Sequence, residues 1–269
     1  MVDLHSHILP EIDDGAKNLE EALKMAEIAV KEGITQMVAT PHYIPEVFTT
    51  DAKTLLMKIE EINAFLKEKG LALEILSGNE AYLSLDLPQR LKNQEILSIN
   101  KGPYVLLELP MADIPNYTED VLYEMRLLGY KPIIAHPERY GKIIENPNLL
   151  KEWIEQGNYA QINTMSITGA LGKEIQETAK ILLKHGMIHC IGTDAHSPRG
   201  RAPKIKKALH IMEGWIGKDK TDMLLENNEK IIKGQEIIIT QPKAYREKKG
   251  MFYYIYRWFF HRYKKAYQK

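Results

Sequence analysis

The sequence predicts an α/β protein built on a parallel sheet. Three observations lead there. Short apolar runs alternate with amphipathic segments about seven times along the 269 residues, the pattern of strands joined by helical crossovers. Runs such as PIIAH (132–136) are apolar at consecutive positions, as strands buried on both faces are. Histidines and acids recur at the C-terminal ends of these runs, where the active sites of such sheets lie.

The elements follow in order. VDLH (2–5) reads as the first strand. NLEEALKMAEIAVKEG (18–33) reads as a helix, with Asn18 as N-cap, Glu21 three residues on and Gly33 at its stop. ITQMVAT (34–40) is the next strand. DAKTLLMKIEEINAFLKEKG (51–70) is a helix with Leu55, Ile59, Ile62 and Leu66 along one face. LALEILS (71–77) is a strand, followed by a short irregular segment and the strand PYVLLEL (103–109). TEDVLYEMRLLG (118–129) is helical and KPIIAH (131–136) is a strand. NPNLLKEWIEQG (146–157) is helical and YAQINT (159–164) is a weaker strand. GKEIQETAKILLKHG (172–186) is helical, MIHCIGT (187–193) is a strand, and two helical stretches cover about 203–216 and 219–233. An open doubly wound sheet and a closed barrel share this pattern. No GxGxxG or Walker loop follows the first strand, which argues against nucleotide binding.

Composition sets bounds on function. With 44% hydrophobic residues, the chain can bury one barrel-sized core or two small ones. It has no 18-residue apolar run for a membrane span and no basic segment followed by an apolar one to act as a secretory signal. The single cysteine, Cys190, excludes an internal disulfide framework and fits a reducing cytoplasm. The formal net charge of zero conceals an asymmetry. Residues 243–269 hold nine of the 36 Lys/Arg and one of the 36 Asp/Glu, so a basic tail follows an acidic body.

The polar clusters fall at one recurring place. His5 and His7 end the first strand, and His42 ends the second. Glu80 follows the third, Glu108 lies near the end of YVLLELP, and His136 ends the fifth. Asp194 and His196 end the seventh. With Asp14 these make nine nitrogen or carboxylate donors, which in a barrel converge on one mouth. His and carboxylate without Cys suit ions such as Mn, Fe or Zn. Spacing two puts His5 and His7 on the same side of an extended strand. Nine donors exceed the needs of one ion and suit a cluster with a bridging carboxylate. A lone histidine at a strand end is more often a hydrogen-bonded structural residue, but five of nine histidines share this context. His185, His189, His210 and His261 do not. His189 reads as a packing residue, and His185 as a helix C-terminal residue favoured by the dipole.

DLHSH, TPH, GNE, AHPER and GTDAH resemble the successive motifs of the PHP (polymerase and histidinol phosphatase) metallohydrolases. Within them the chain is most similar to the bacterial CpsB/YwqE-type tyrosine-protein phosphatases, on HILPEIDDGA, ATPH, LLELP, PIIAHPER, GTDAH and a downstream Arg201. The likeness covers about 1–240, so the expected division is a PHP barrel over 1–242 and a basic aromatic tail over 243–269. The resemblance implies a distorted seven-stranded β/α barrel, TIM-like, with three divalent ions at its C-terminal mouth, manganese first and Fe, Zn or Co as other candidates. One ion would be held by His5, His7, Glu80 and Asp194. A second would share Glu80 and add Glu108 and His136. A third would take Asp14, His42 and His196. Asp13 would only shape the turn before Gly15.

The implied activity is hydrolysis of phosphotyrosine monoesters by attack of metal-bound hydroxide, on an autophosphorylated bacterial tyrosine kinase of capsule or exopolysaccharide synthesis. Arg139 and Arg201 would hold the phosphoryl oxygens, with Arg199 as a substitute for Arg201. Cysteine-based tyrosine phosphatases need an arginine six residues after the nucleophile. Cys190 has His196 there and sits in an apolar strand, so it reads as an inert thiol. The tail segment KKGMFYYIYRWFFHRYKKAYQK (248–269) is basic and aromatic. It suits contact with an anionic membrane surface or a partner protein, which places the enzyme in the cytoplasm with peripheral contact at the inner face of the plasma membrane. No nucleic acid is expected as a partner. The alternatives are a histidinol-phosphate phosphatase and a non-catalytic, metal-stabilised adaptor for a kinase or membrane.

Overall fold

The computed structural model describes residues 1–246. The aromatic stretch on which membrane contact was expected (248–269) therefore lies outside the described residues, and of the tail only 243–246 are described. Those four run against the body. Lys243 N–H donates to His185 O at 2.8 Å, and Tyr245 exchanges two hydrogen bonds with the side chain of Asn148.

The chain follows the expected β-α alternation. In order it forms β1 (Val2–Ser6), α1 (Leu19–Lys31), β2 (Gln36–Ala39), β3 (His42–Tyr43), α2 (Ala52–Glu68), β4 (Glu74–Ser77), β5 (Glu80–Tyr82) and α3 (Leu87–Lys92). After a 3-10 turn at Ile99–Lys101 come β6 (Tyr104–Glu108), α4 (Thr118–Leu127) and β7 (Lys131–Ala135). A second 3-10 turn (Pro137–Arg139) leads to α5 (Gly141–Glu145), α6 (Asn148–Glu155), β8 (Tyr159–Asn163), α7 (Thr164–Thr168) and α8 (Lys173–Lys184). The described part ends with β9 (Cys190–Gly192), α9 (Lys206–Ile216) and α10 (Lys218–Ile232). The start of α1 follows its sequence signal: the Asn18 side chain accepts Glu21 N–H, and the Glu21 carboxylate accepts Lys17 N–H.

The strands pair in parallel in two sheets, β1-β2-β4 and β3-β5-β6-β7-β8-β9. The second and third expected strands, 34–40 and 71–77, are each followed by a further short strand, β3 and β5, which is why nine strands are described where the sequence suggested seven. Between β2 and β3 the break falls at Thr40-Pro41, and a proline has no N–H to give a ladder. Between β4 and β5 it falls at Gly78-Asn79. The two breaks are tied together, because Asn79 Nδ2 and Glu80 N both donate to Pro41 O at 3.1 Å. At the other end, Asp194 N–H donates to His5 O and His7 N–H donates to Ala195 O, both at 2.8 Å, beyond the last residue of β9. A parallel bridge joins Ser6 to Ala195.

Strand residues are buried on both faces, as the apolar runs predicted. Tyr104 and Leu106 of β6 join one apolar cluster, while Val105 and Leu107 join another that includes α1, α2 and α8 residues. The smaller cluster takes Leu4, Val38, Leu76, Leu106, Ile133, Tyr159 and Cys190 from seven strands, so the sheets curl around it. Ile231 and Ile232 of α10 pack into the same cluster.

Candidate metal centre

All nine expected donors meet at the C-terminal strand ends. The backbone there departs from the strand conformation. The register of β1 against β2 shifts between Asp3 and Ser6, where His5 sits. Such irregularities re-aim side chains at sheet rims. His136 and Asp194 have left-handed backbones, φ 32° and 54°. Non-glycine residues hold that conformation at a cost of about 1–3 kcal/mol, and such strain clusters at functional sites.

Three histidines are locked in the same tautomer. His5 Nδ1–H donates to Gln161 Oε1 at 3.0 Å, and the Gln161 amide nitrogen is committed to Ile162 O and Asn163 Oδ1. His7 Nδ1–H donates to Asp13 Oδ2 at 2.6 Å. His196 Nδ1–H donates to Asp194 O at 3.0 Å. Each Nε2 lone pair then points into the site, and His5 Nε2 lies 3.2 Å from His7 Nε2. Two facing lone pairs repel unless a cation lies against them.

Glu80 is the hub. Its Oε2 lies 3.2 Å from His5 Nε2, 3.4 Å from His7 Nε2 and 3.1 Å from His42 Nδ1. Its Oε1 lies 2.9 Å from His136 Nε2. Asp194 Oδ1 is 3.5 Å from both His5 and His7 Nε2. His42 Nε2 and His196 Nε2 each approach Asp14 Oδ1 at 3.4 Å, and Asp14 is the most exposed of the nine. Four groups of donors converge within 4.8 Å: His7-Asp14-His42-His196, His5-His7-Glu80, His5-His136-Asp194 and His42-Glu80-Glu108. His136 thus lies within reach of both sides of the cluster: it groups with His5 and Asp194, and its Nε2 is 2.9 Å from Glu80 Oε1 and 3.7 Å from Glu108 Oε1.

The electrostatics call for positive charge. Burial lowers His5 and His7, yet Glu80 and Asp194 around His5, and Asp13 beside His7, outweigh it and raise both. Burial raises Glu80, but His5, His136 and His42 hold it well below the usual carboxylate range. Burial and repulsion from Glu80 push Glu108 up to about 7. Burial lowers His136 to about 4. His42 Nδ1, Glu80 Oε2, His136 Nδ1 and His196 Nε2 are buried without a hydrogen-bond partner among the described residues, a costly condition that a coordinated cation would remove. The residues therefore fit a cluster of divalent ions.

Both expected arginines reach the cluster. Arg139 Nη1 lies 3.0 Å from Asp194 Oδ2 and Arg201 Nη2 lies 2.6 Å from Asp194 Oδ1. A cleft of about 300 Å³ opens over the site, lined by seven of the nine donors, both arginines, Ile44 and Phe48. Cys190 is elsewhere, in the apolar cluster, where burial pushes its thiol up.

Sequence reasoning missed three residues here. Asp13 does cap the turn through Gly15 N–H, but it also accepts from His7 Nδ1 and His42 N. Gln161 orients His5, and Asn163 Nδ2 donates to Asp194 Oδ2 at 2.7 Å. The signal lay in YAQINT, where polar residues at alternate positions interrupt a strand buried on both faces.

Comparison with known proteins identifies the family. The model of the family "Capsular polysaccharide synthesis, CpsB/CapC" matches residues 1–233. The tyrosine-protein phosphatase YwqE of Bacillus subtilis is 34% identical over 249 residues, which cover 93% of this chain and 98% of the relative. The tyrosine-protein phosphatase CpsB of Streptococcus pneumoniae is 30% identical over 243 residues, covering 88% of this chain and 100% of the relative. A solved structure reported for YwqE and CpsB as metal-dependent tyrosine phosphatases superposes with a TM-score of 0.89 at 34% identity, covering 92% of this chain and 100% of that one.

Proposed function

The chain belongs to the CpsB/CapC family of capsular polysaccharide synthesis, and from that membership we propose that it is a metal-dependent protein-tyrosine phosphatase. The observation that carries the reading is the convergence of unpartnered buried donors beside two arginines at the floor of one cleft. Three ions are proposed: one on His5, His7, Glu80 and Asp194, one on Glu80, Glu108 and His136, and one on Asp14, His42 and His196. Manganese is the ion proposed, and Fe, Zn or Co suit the same donors. In this reading β2 with β3 and β4 with β5 count as one strand each, and the ladder between His5 and Ala195 closes a distorted seven-stranded barrel.

When bound, such ions supply charge neutralisation and an activated water near neutral pH. The rest of the work falls to the chain. Arg139 and Arg201 line the cleft beside Asp194, where their planar forks can meet phosphoryl oxygens. Asp13 and Gln161 hold His7 and His5 in the tautomer that keeps their lone pairs inward. Ile44 and Phe48 give the cleft an apolar wall suited to a phenyl ring. A tyrosyl leaving group, with a pKa near ~10, departs with little protonation. Histidinol phosphate would present an ammonium group, yet every carboxylate lining the cleft already belongs to the donor cluster. The proposed substrate is an autophosphorylated bacterial tyrosine kinase of capsule or exopolysaccharide assembly, met in the cytoplasm, with 243–269 as the membrane contact. No helix among the described residues is long and apolar enough to cross a membrane.

The test is phosphate release from a phosphotyrosine peptide and from histidinol phosphate, side by side, with manganese and with a chelator. Metal-dependent turnover of the peptide that vanishes in His136→Ala supports the reading. Preference for histidinol phosphate overturns the substrate. Turnover of neither, with ions bound, leaves the adaptor as the better account.

A further inference from the structure

A second pocket, of about 250 Å³, lies beside the cleft. Arg199, Lys204 and Lys207 line it together with Thr164 and Thr168, and no acidic residue does. None of the three cations has an ion-pair partner within 4 Å among the described residues. Thr164 is 1% exposed, and its Oγ1 is buried without a hydrogen-bond partner among the described residues. Three exposed cations around one concavity, with no carboxylate lining it, make an environment for an anion.

Two chain segments place this pocket next to the reacting centre. In the first, Asn163 donates to Asp194 in the cluster while its neighbour Thr164 lines the pocket. In the second, Arg201 turns inward to Asp194 while Arg199, two residues earlier, lines the pocket. That loop is held shut: Arg201 O accepts from His196 N at 2.9 Å and Ser197 N at 3.1 Å, and Ser197 Oγ accepts from Arg201 N at 3.3 Å. Gly200 lines the pocket and the next residue, Arg201, lines the cleft, so the two openings adjoin along one loop and a peptide whose phosphotyrosine fills the cleft can set a flanking side chain in the pocket.

We propose that this pocket is a specificity subsite that takes an anionic side chain, a carboxylate or a second phosphate, from the peptide flanking the phosphotyrosine. The inference rests on the phosphatase reading given above. Substrates with acids or several phosphotyrosines close together are then favoured over isolated phosphotyrosine in a neutral context.

The experiment compares four phosphotyrosine peptides of one length, with glutamate, a second phosphotyrosine, alanine or lysine at flanking positions. They are assayed on the metal-loaded full chain and on the triple variant Arg199→Ala, Lys204→Ala, Lys207→Ala. The wild type is expected to show about a tenfold lower KM for the two anionic peptides than for the alanine one, as several partly exposed ion pairs would give. Salt should reduce that ratio, and the triple variant should bring it to about one. If glutamate and phosphotyrosine rank equally, the pocket reads charge. If only the second phosphotyrosine gains, it reads phosphate. Equal KM values across all four peptides in the wild type, or a ratio that survives in the triple variant, overturn the subsite. Absence of turnover of any peptide by the wild type would instead overturn the phosphatase reading. A double variant, Lys204→Ala with Lys207→Ala, spares the loop and repeats the test if the triple variant unfolds.

Discussion

His5, His7 and His196 are held by an acceptor on Nδ1 and left bare on Nε2. The most telling of these supports is Asp13, since its carboxylate touches two histidines and the glycine that turns the chain. Burial raises this acid, but His7 and the donated N–H groups lower it overall, so it stays ionised. An ionised partner raises the basicity of an imidazole ligand and fixes its ring. Asp13→Asn is expected to weaken ion binding by about 10- to 100-fold, measured by competition with a chromogenic chelator. Unchanged affinity would mean that Asp13 only shapes the turn. This residue shows why site roles are partly hidden in sequence. The adjacent acids Asp13 and Asp14 look alike as letters. Only the fold puts one under His7 and the other, half exposed, between His42 and His196.

At the scale of elements, the site depends on how closely β9 approaches β1. Gly192 lies between them, and a Cβ there would stand 2.6 Å from His5 Cβ and 3.0 Å from Gln161 Nε2. Backbone φ is not the constraint at this position; contact is. Gly192→Ala is expected to cost about 1–3 kcal/mol and to lower ion retention, because relief of the clash moves His5 or its Gln161 support. Urea midpoints and ion content after dialysis check both. A variant with wild-type values would show that the strands have slack. The same scale accounts for what could be read in advance. Long amphipathic helices such as α1 and α2 carried caps and a 3.6-residue apolar stripe, so their extents were visible within a few residues. The segment after β4 was not. β5 has three residues and α3 has six, too short for either periodicity to register. Glu80 was still found, since GNE follows a strand end. Its role as hub was not, because that depends on strands far apart in sequence.

Across the whole molecule, buried titratable groups link folding to pH. His189 sits among the core residues, accepts Ala160 N–H on Nδ1, and is pushed down to about 4 by burial. The unfolded chain binds a proton there below about 6.5, and the folded chain refuses it until about 4. Protons therefore favour the unfolded state in this window, and stability contributed by His189 rises with pH from about 4 to 6.5. The full difference is on the order of 3 kcal/mol. His189→Gln is expected to flatten that part of the stability profile relative to wild type, measured by denaturant midpoints at stepped pH on metal-free protein. Parallel profiles would show that His189 is solvated or protonated in the fold. The parallel sheet and its buried strands were legible from the alternation, and the meeting of nine donors at one rim from where His and acid fell; the curl of the sheet came only with the family resemblance, since the alternation fits an open sheet as well. The additional short strands and the neighbouring basic pocket were not, as each depends on packing between distant segments. The central claim is that these donors hold the ions on which turnover depends. The direct measurement is titration of manganese into fully stripped protein while phosphate release from a phosphotyrosine peptide is followed. The account predicts no turnover without metal and activity that rises to a plateau at about three ions per chain, as the donor number suggests. Full turnover in stripped protein would contradict it.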